Sequence, residues 1–397
     1  MVNRRDILRA AGAGLVASSI PGLALASANT EARFVLVILR GAADGLAIAP
    51  AYGDGNYARV RGELALSSRE INKLDGIFGL HPALADIHDQ YRQRQALIVH
   101  AVASPYRERS HFDGQDVLEN GAAGVGMLRD GWLNRAIAPL GGSLGNEVAI
   151  AMAQNTPLVL RGDNSVTSWA PSGLPDAEDS TIERLQDLYA GDEFFAMRLV
   201  QALDAQAIAE ADTGMTQMNS RGNEAQQMQT MAAATARFLR AKDGPRIAVL
   251  EAGGWDTHAN QGTTSGALAN RFEGLDAGVR TLREELGGTW SKTVMAIVTE
   301  FGRTVAVNGT RGTDHGTGTA AILVGGAVAG GRVLADWPGL RNSDLHQGRD
   351  LRPTTDLRSV FKGVLAEHLQ LPDAEMHTSV FPDSAAAPSM RGLINSA

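Results

Sequence analysis

Cysteine is absent from all 397 residues of this chain. The absence excludes disulfide bonds, thiolate metal ligands and cysteine nucleophiles. Any metal site must therefore use histidine, aspartate and glutamate, which suit zinc, manganese, calcium or magnesium. Aromatic residues are also few, at 5% of the sequence, whereas glycine is abundant at 45 residues. This balance favours an α/β protein with many tight loops over a protein held by disulfides.

The sequence also has fewer basic than acidic residues and few long apolar runs. The chain has 36 lysines and arginines against 44 aspartates and glutamates, a formal net charge of −8. Nucleic-acid binding relies on lysine and arginine clusters at the phosphates, so we expect no nucleic-acid partner. Beyond the first 26 residues, no run approaches the roughly 20 apolar residues that a membrane-spanning helix needs. We therefore expect no transmembrane segment.

The first 26 residues have the pattern of an export signal. Arg4 and Arg5 precede a weakly apolar stretch rich in alanine and glycine, which closes on the A-x-A cleavage pattern Ala24-Leu25-Ala26. Paired arginines in this position indicate the twin-arginine pathway. We expect the twin-arginine export machinery as a partner, and a periplasmic or secreted mature protein. An ordinary amphipathic leader is the alternative.

Five apolar runs lack the alternation of a half-exposed strand. They are RFVLVILRGAADG (33–45), ALIVHAVA (96–103), RIAVLEAGGWDTH (246–258), TVMAIVTEFGRT (293–304) and AAILVGGAV (320–328). Such runs favour strands buried on both faces, as in parallel sheets. Helical spacing appears between them, for example over 81–94, 230–242 and 267–286. The alternation predicts an α/β fold: a doubly wound, mostly parallel sheet with helices on both faces.

Residues 33–380 are predicted to form a single domain that carries an insert. The interval from about 155 to 243 begins with loop-like sequence and continues as a region rich in glutamine, methionine and alanine with helical character. Within it, only PLVLRG (157–162) resembles a buried strand. We predict a helical insert packed over the sheet.

Polar side chains mark one end of each predicted strand. Ligands of open parallel sheets bind outside the carboxyl ends of the strands. These residues follow the apolar part of each of the first four runs and precede the fifth run: Asp44; Ser110 and His111; Asp256 and His258; Glu300 and Arg303; Asp314 and His315. Carboxylates and imidazoles can together hold one or two divalent cations, which activate a hydroxyl or water and neutralise an oxyanion. The set predicts metal-assisted hydrolysis. The expected metal ligands are Asp44, Asp256, His258, Glu300, Asp314 and His315.

Each of these residues also has a purely structural interpretation. The alternatives are a helix N-cap for Asp44 and Ser110, a turn for Asp256, His258 and Asp314, and an ion pair for Glu300 and Arg303. One residue alone is therefore weak evidence for a site. The hypothesis of a site depends on the recurrence of such residues at five strand ends.

Seven motifs in order resemble a known bacterial family. They are VLVILRGAADGL, GLHPAL, RSHFDGQ, GGWDTHANQ, TEFGRT, GTDHGTG and RDLRPTTDLRSV, between about residues 34 and 371. The chain resembles domain-of-unknown-function family 1501, which is grouped with the alkaline-phosphatase-like superfamily. The resemblance implies an alkaline-phosphatase-like fold. It implies no particular reaction, because that family has no agreed activity.

The superfamily resemblance also implies roles for individual residues. Asp44 matches the metal-binding aspartate after the first strand, and Ser110 matches the nucleophile at the start of a helix. Asp256 and His258 match an Asp and His on one metal. His315 matches the late histidine before the last core strand.

One departure from the superfamily pattern concerns the second metal. An Asp-His pair is expected after the fourth run, but this chain has Glu300-Phe301 there. Asp314 and His315 then correspond to the late histidine and not to the usual pair. The departure implies one formed metal site, with the second weak or absent.

The function expected from these residues is hydrolysis of a phosphate or related ester by an exported metal enzyme. Ser110 is the candidate nucleophile, His111 is its catalytic alternative, and Arg303 is expected to hold non-bridging oxygens. Two alternatives remain. One is a non-catalytic exported protein for binding or assembly, with the fold and one metal. The other is a metal hydrolase that uses a water nucleophile on another ester, such as a sulfate.

Overall fold

The computed structural model describes residues 30–140, 148–171, 179–210 and 224–395. The expected export signal, residues 1–26, lies outside these ranges. Within them, no helix is long and apolar enough to cross a membrane.

Nine strands of the described chain form one sheet. The strands are β1 (Arg33–Leu39), β4 (Ala96–Ala103), β5 (Ala149–Met152), β6 (Thr167–Ser168), β7 (Ile247–Ala252), β8 (Thr293–Thr299), β9 (Thr319–Val324), β10 (Arg332–Leu334) and β11 (Thr355–Asp356). Their order across the sheet is β10-β4-β9-β8-β1-β7-β5-β6, and β11 also pairs with β4. A separate antiparallel pair joins β2 (Asn72–Lys73) and β3 (Gly79–Leu80). All pairings in the large sheet are parallel except those of β9 with β4 and β8.

The central strand β1 shows why its sequence has no polar alternation. Phe34, Leu36 and Ile38 lie in one hydrophobic core, and the intervening Val35 and Val37 lie in another. Successive side chains of a strand point to opposite faces of the sheet. Both faces of the sheet are therefore covered, and every position of β1 is buried.

Helices cover the two faces of the sheet. The α-helices of the described residues are α1 (Gly45–Ile48), α2 (Tyr57–Arg61), α3 (Ala85–Arg92), α4 (His111–Asn120), α5 (Trp132–Ile137), α6 (Asp179–Tyr189), α7 (Glu193–Glu210), α8 (Glu224–Arg240), α9 (Ala267–Leu286), α10 (Leu357–Glu367) and α11 (Asp373–Glu375). Trp132 of α5 stacks on Phe361 of α10 in the core on the Phe34 side. Ile87 of α3, Phe238 of α8 and Phe272 of α9 pack on the other side. The prediction of a doubly wound, mostly parallel sheet with helices on both faces is confirmed.

The interval predicted as a helical insert is only partly helical. It includes α6, α7 and all of α8, but β6 at 167–168 extends the large sheet beside β5. The strand-like segment PLVLRG instead forms a 3₁₀ turn at Leu158–Leu160. The neighbouring strand β5 is only four residues long, so its apolar run is too short to stand out in the sequence.

The direction of β9 decides what meets at one edge of the sheet. β1, β4, β7 and β8 run in the same direction, so their carboxyl ends lie at one edge. β9 runs antiparallel to β8 and β4, so the residues that precede it lie at that same edge. The loops after four strands and the loop before the fifth therefore converge.

Candidate active site and metal centre

Three imidazoles and one carboxylate converge at this edge. The His315 Nε2 atom lies 2.9 Å from the Nε2 atoms of both His111 and His258. Asp256 Oδ1 lies 3.0 Å from His258 Nε2 and 3.2 Å from His315 Nε2, and its Oδ2 lies 3.3 Å from His111 Nε2. We call these four residues the His–Asp cluster. Each comes from a different strand end except Asp256 and His258, which share the loop after β7.

The opposite ring nitrogen of every histidine faces a hydrogen-bond acceptor. His111 Nδ1 lies 2.9 Å from Glu300 Oε1, His258 Nδ1 lies 3.2 Å from Asp314 Oδ1, and His315 Nδ1 lies 2.9 Å from the Arg109 carbonyl oxygen. An Nδ1–H that donates to such an acceptor leaves the lone pair of a neutral imidazole on Nε2. All three Nε2 lone pairs then point into the cluster.

This arrangement fits a divalent cation. Lone pairs that face one another at 2.9 Å repel, and a cation among them converts that repulsion into coordination. Histidines whose other nitrogen donates to a carboxylate or carbonyl are typical of metal sites. Imidazole with carboxylate suits zinc and also manganese. Within the described residues, His111, Asp256 and His315 form the group of acids and histidines whose spacing can hold a metal, and His258 adjoins two of them.

Glu300 is the buried partner that orients His111. Its side chain is fully buried, and Oε1 accepts from the Gly41 N–H at 2.9 Å and from Gln115 Nε2 at 3.2 Å as well as from His111. Burial acts to raise the pKa of Glu300, but these donors outweigh it and lower the pKa. The hydrogen bond with Glu300 raises the pKa of His111 against the effect of burial. Glu300 thus lies behind a candidate ligand and outside the cluster itself.

Gly41 allows the loops after β1 and β7 to approach each other. It has a φ of +117°, and a Cβ atom there would lie 2.6 Å from the backbone nitrogen of Asp256. A side chain at this position would push Asp256 out of the cluster. The glycine therefore serves the placement of Asp256 as well as that of Glu300.

Arg303 is buried beneath Asp256. Its guanidinium contacts Asp256 Oδ1, donates to Thr313 Oγ1 at 3.1 Å and contacts the Thr313 carbonyl oxygen. Burial acts to raise the pKa of Asp256, but the Arg303 contact outweighs it and keeps the pKa low. Arg303 was expected to hold substrate oxygens, but its nitrogens are already occupied by these partners. Its position is that of a residue that holds Asp256.

Asp44, expected among the metal ligands, lies outside the His–Asp cluster. Its Oδ1 accepts from the backbone N–H groups of α1, and its Oδ2 binds Arg61 at 2.6 Å and Gln261 Nε2 at 2.8 Å. Asp44 and Arg61 are both fully buried. The buried guanidinium neutralises the carboxylate that a second cation would need. The N-cap interpretation of Asp44 matches this position.

Ser110 and Asp314 each lie next to a histidine of the His–Asp cluster. Ser110 is the N-cap residue of α4, directly before His111, and its side chain makes no capping hydrogen bond. Its backbone N–H donates to the Tyr106 hydroxyl at 3.0 Å. Asp314 is half exposed and holds His258 from behind, while Asn308 Nδ2 donates to the same Oδ1 at 3.0 Å. Glu300 and Asp314 are expected from the sequence to be metal ligands, but the structure places each behind a histidine of the cluster, at its Nδ1 atom.

Two contributors to the site differ from the sequence prediction. His111 was assigned a catalytic role, but its imidazole lies within the cluster as a candidate ligand. The second contributor is Arg109, whose backbone carbonyl oxygen, and not its guanidinium, orients His315. Arg109 has a φ of +65°, a left-handed conformation that turns this carbonyl toward the histidine. A backbone group of this kind leaves no signal in residue types.

Several solved structures resemble the chain at low identity. The structure of Ps i-CgsB is 12% identical, with a TM-score of 0.41, and covers 88% of this chain and 74% of that one. A phosphonate monoester hydrolase of Agrobacterium radiobacter is 11% identical, with a TM-score of 0.38, and covers 86% and 74%. The zinc-bound periplasmic domain of EcEptC from Escherichia coli is 8% identical, with a TM-score of 0.37, and covers 75% and 74%. These likenesses identify neither a substrate nor a reaction for this chain.

No curated protein matches the sequence. The family model described as "Protein of unknown function (DUF1501)" matches residues 94–380. That range contains the whole His–Asp cluster and more than two thirds of the 397 residues. The chain therefore belongs to the DUF1501 family.

Proposed function

We propose that this protein is an exported, metal-dependent hydrolase that acts on a phosphate or related ester. The proposal rests on one observation: three imidazole Nε2 atoms and the Asp256 carboxylate converge, and each imidazole is held by an acceptor at Nδ1. A histidine in a structural ion pair does not need a fixed tautomer. A histidine that binds a metal does need one, because its coordinating nitrogen must carry the lone pair. The proposal also includes the grouping of this family with alkaline-phosphatase-like enzymes, because ester hydrolysis is the reaction expected of that superfamily.

A divalent cation, when bound, would supply Lewis-acid stabilisation of the negative charge that develops on the ester oxygens. His111, Asp256, His258 and His315 would hold this cation. Arg303 keeps Asp256 ionised, because the guanidinium lowers the pKa of that carboxyl. Glu300 and Asp314 orient the rings of His111 and His258.

Ser110 is the proposed nucleophile. It occupies the N-cap of α4, a ten-residue helix, immediately before His111. Backbone N–H groups at a helix N-terminus favour an anionic group, so an ester phosphate could approach there. Because the Ser110 side chain makes no capping bond, its hydroxyl is not committed to holding the helix. These features support the assignment of a nucleophile in place of a cap.

The site supports a single cation better than two. Asp44, which the superfamily pattern assigns to a metal, is paired with Arg61 in a buried ion pair. The proposed enzyme therefore resembles a one-metal hydrolase. The paired Arg4 and Arg5 support export by the twin-arginine route, which would make the enzyme periplasmic or secreted. This route exports folded proteins, which suits a protein that carries a metal.

Metal analysis of the purified mature protein tests the proposal. We expect the wild type and a His88→Ala control to contain a divalent metal, and His258→Ala to lose most of it. His88 is a matched control because it is a partly exposed histidine outside the cluster that contacts the Lys73 carbonyl oxygen. Equal metal content in all three proteins would exclude the His–Asp cluster as the site.

A panel of model esters tests the reaction. The panel contains 4-nitrophenyl phosphate, bis(4-nitrophenyl) phosphate and 4-nitrophenyl sulfate. We expect metal-dependent hydrolysis of at least one phosphate ester, and loss of that activity in His258→Ala but not in His88→Ala. A metal-loaded protein that hydrolyses none of them would favour the alternative of a non-catalytic binding protein. Hydrolysis of the sulfate alone would favour the third alternative.

A further inference from the structure

A cavity of about 470 Å³ opens beside the His–Asp cluster. Its lining includes Arg59, Asn308, Asp314, Asn342 and Arg349. We call it the side cavity. Its volume lies within the range of about 300 to 1,000 Å³ that is typical of small-molecule sites. It can hold an organic group of moderate size.

The side cavity shares a wall with the candidate metal centre. Asp314 lines the cavity and binds His258 through its Oδ1 atom. Arg349 also lines it and donates to the backbone carbonyl oxygen of His315 at 2.8 Å. Two wall residues thus directly contact two of the clustered histidines. A molecule whose ester lies at the cluster can extend into this cavity.

The charge of the lining is positive. Arg59 and Arg349 contribute two guanidiniums, and Asp314 contributes the single carboxylate. That carboxylate is already bound by Asn308 and His258. Arg349 is held in place, because it also lies 3.1 Å from Asp350, a buried acid that Arg109 shares at 2.8 Å. Its guanidinium is therefore preorganised and not a freely moving surface group.

Arg59 is the more exposed of the two cations. It lies in the last turn of α2, is exposed, and donates to Asn56 Oδ1 at 3.1 Å. Exposed arginines form forked hydrogen bonds with carboxylate, sulfate or phosphate. Because Asn56 is a neutral partner, the charge of Arg59 is not balanced by it. The remaining lining includes amides and apolar side chains, such as Asn342 and Leu345, which suit an organic spacer.

We propose that the side cavity binds a second anionic group of the substrate, so that the natural substrate is an ester carrying an additional carboxylate, sulfate or phosphate. This inference rests on the proposed ester hydrolysis at the His–Asp cluster. The reacting ester lies at the cluster, a short organic spacer lies along the Asn308 and Asn342 amides, and the second anion contacts Arg59 and Arg349. A neutral alcohol group could accept a hydrogen bond from these two cations but would lack the attraction between opposite charges.

Calorimetric titration with two phosphonates tests this subsite without requiring turnover. The ligands are phenylphosphonate and 4-carboxyphenylphosphonate, and the protein is the full mature chain loaded with zinc. We expect the carboxylated ligand to bind the wild type about tenfold more tightly, as for a charge-assisted hydrogen bond at a partly exposed site. The preference disappears in Arg59→Gln. It persists in Arg92→Gln, a control at an arginine whose side chain is 72% exposed and lies outside the cavity lining.

Equal affinity of the wild type for the two phosphonates overturns the inference, as does a preference that survives in Arg59→Gln. Failure of the proposed function has a different signature. In that case the protein hydrolyses no ester, while the wild type and Arg92→Gln still prefer the carboxylated ligand and Arg59→Gln does not. That result retains the side cavity as an anion subsite and rejects catalysis at the cluster.

Discussion

Glu300→Gln is expected to weaken metal binding without removing a metal ligand. The Glu300 carboxylate accepts from the Gly41 N–H, His111 Nδ1 and Gln115 through Oε1, and from the Thr299 hydroxyl at 2.8 Å through Oε2. A glutamine with its carbonyl oxygen at the Oε1 position keeps the three donors. Its amide group then donates to Thr299 Oγ1, whose hydrogen is free to bond the Leu39 carbonyl oxygen. The fold is therefore preserved and only the charge is lost.

The burial of Glu300 determines how much metal affinity is lost when its charge is removed. Replacing a carboxylate that orients a metal-bound histidine typically costs 10- to 100-fold in metal affinity. Glu300 is fully buried, so water does not screen its effect on His111, and we expect a loss of about 100-fold. Asp314 plays the same part behind His258 but is 50% exposed. Asp314→Asn is expected to cost about tenfold or less.

Zinc affinity, measured by competition with a chelating dye, decides between these expectations. Circular dichroism and thermal melting of the metal-free proteins serve as the control for folding, and we expect both variants to resemble the wild type. If Glu300→Gln binds zinc as tightly as the wild type, or loses less affinity than Asp314→Asn, the argument from the buried second carboxylate is wrong.

Three further predictions concern the nucleophile, the export route and acid stability. Ser110→Ala should retain fold and metal, since its side chain makes no capping bond, but should lose activity on the order of 10⁶-fold; a variant that keeps most of the rate would leave Ser110 as a helix-start residue only. Replacing Arg4 and Arg5 by lysine should hold the precursor in the cytoplasm, as cell fractionation would show, and unchanged export would indicate another route. Burial lowers the pKa of His368 to about 4, although its Nε2–H donates to the Arg33 carbonyl oxygen. The unfolded state therefore takes up the proton first, and the free energy of unfolding should fall by at most about 3 kcal/mol between pH 6.5 and 4. In urea titrations, His368→Gln should show a weaker pH dependence over this interval, and an unchanged dependence would contradict the argument.

The apolar runs determined most of the sheet. The strands β1, β4, β7 and β8 fall within the first four runs, and β9 lies within the fifth except for Thr319. Strands buried on both faces lack the polar alternation of half-exposed strands, so they appear as continuous apolar runs. The short strands β5 and β6 were not predicted from the apolar runs. Four and two residues bury too little apolar surface to produce a run of their own.

The strand-end pattern selected residues that lie close together in the structure, since Asp256, His258 and His315 meet at one edge of the sheet. That result follows from the shared direction of the strands. His315 lies at this edge for a further reason: β9 runs antiparallel to its neighbours. The segment before β9 therefore lies beside the segments that follow β4, β7 and β8. Residue patterns report that a strand is buried and do not report its direction.

The choice of partners was decided only by the tertiary structure. Asp44 could bind a cation or cap a helix, and it is the approach of Arg61 and Gln261 that neutralises it. His111 lies 189 positions from Glu300 in the chain, yet the hydrogen bond between them makes its Nε2 atom a candidate ligand. The sequence by itself determined which chemical groups reach this edge of the sheet, because strand burial and loop position are local properties. Which group faces which was left to the packing of distant loops, where a shift of a few ångströms separates a metal ligand from a buried ion pair.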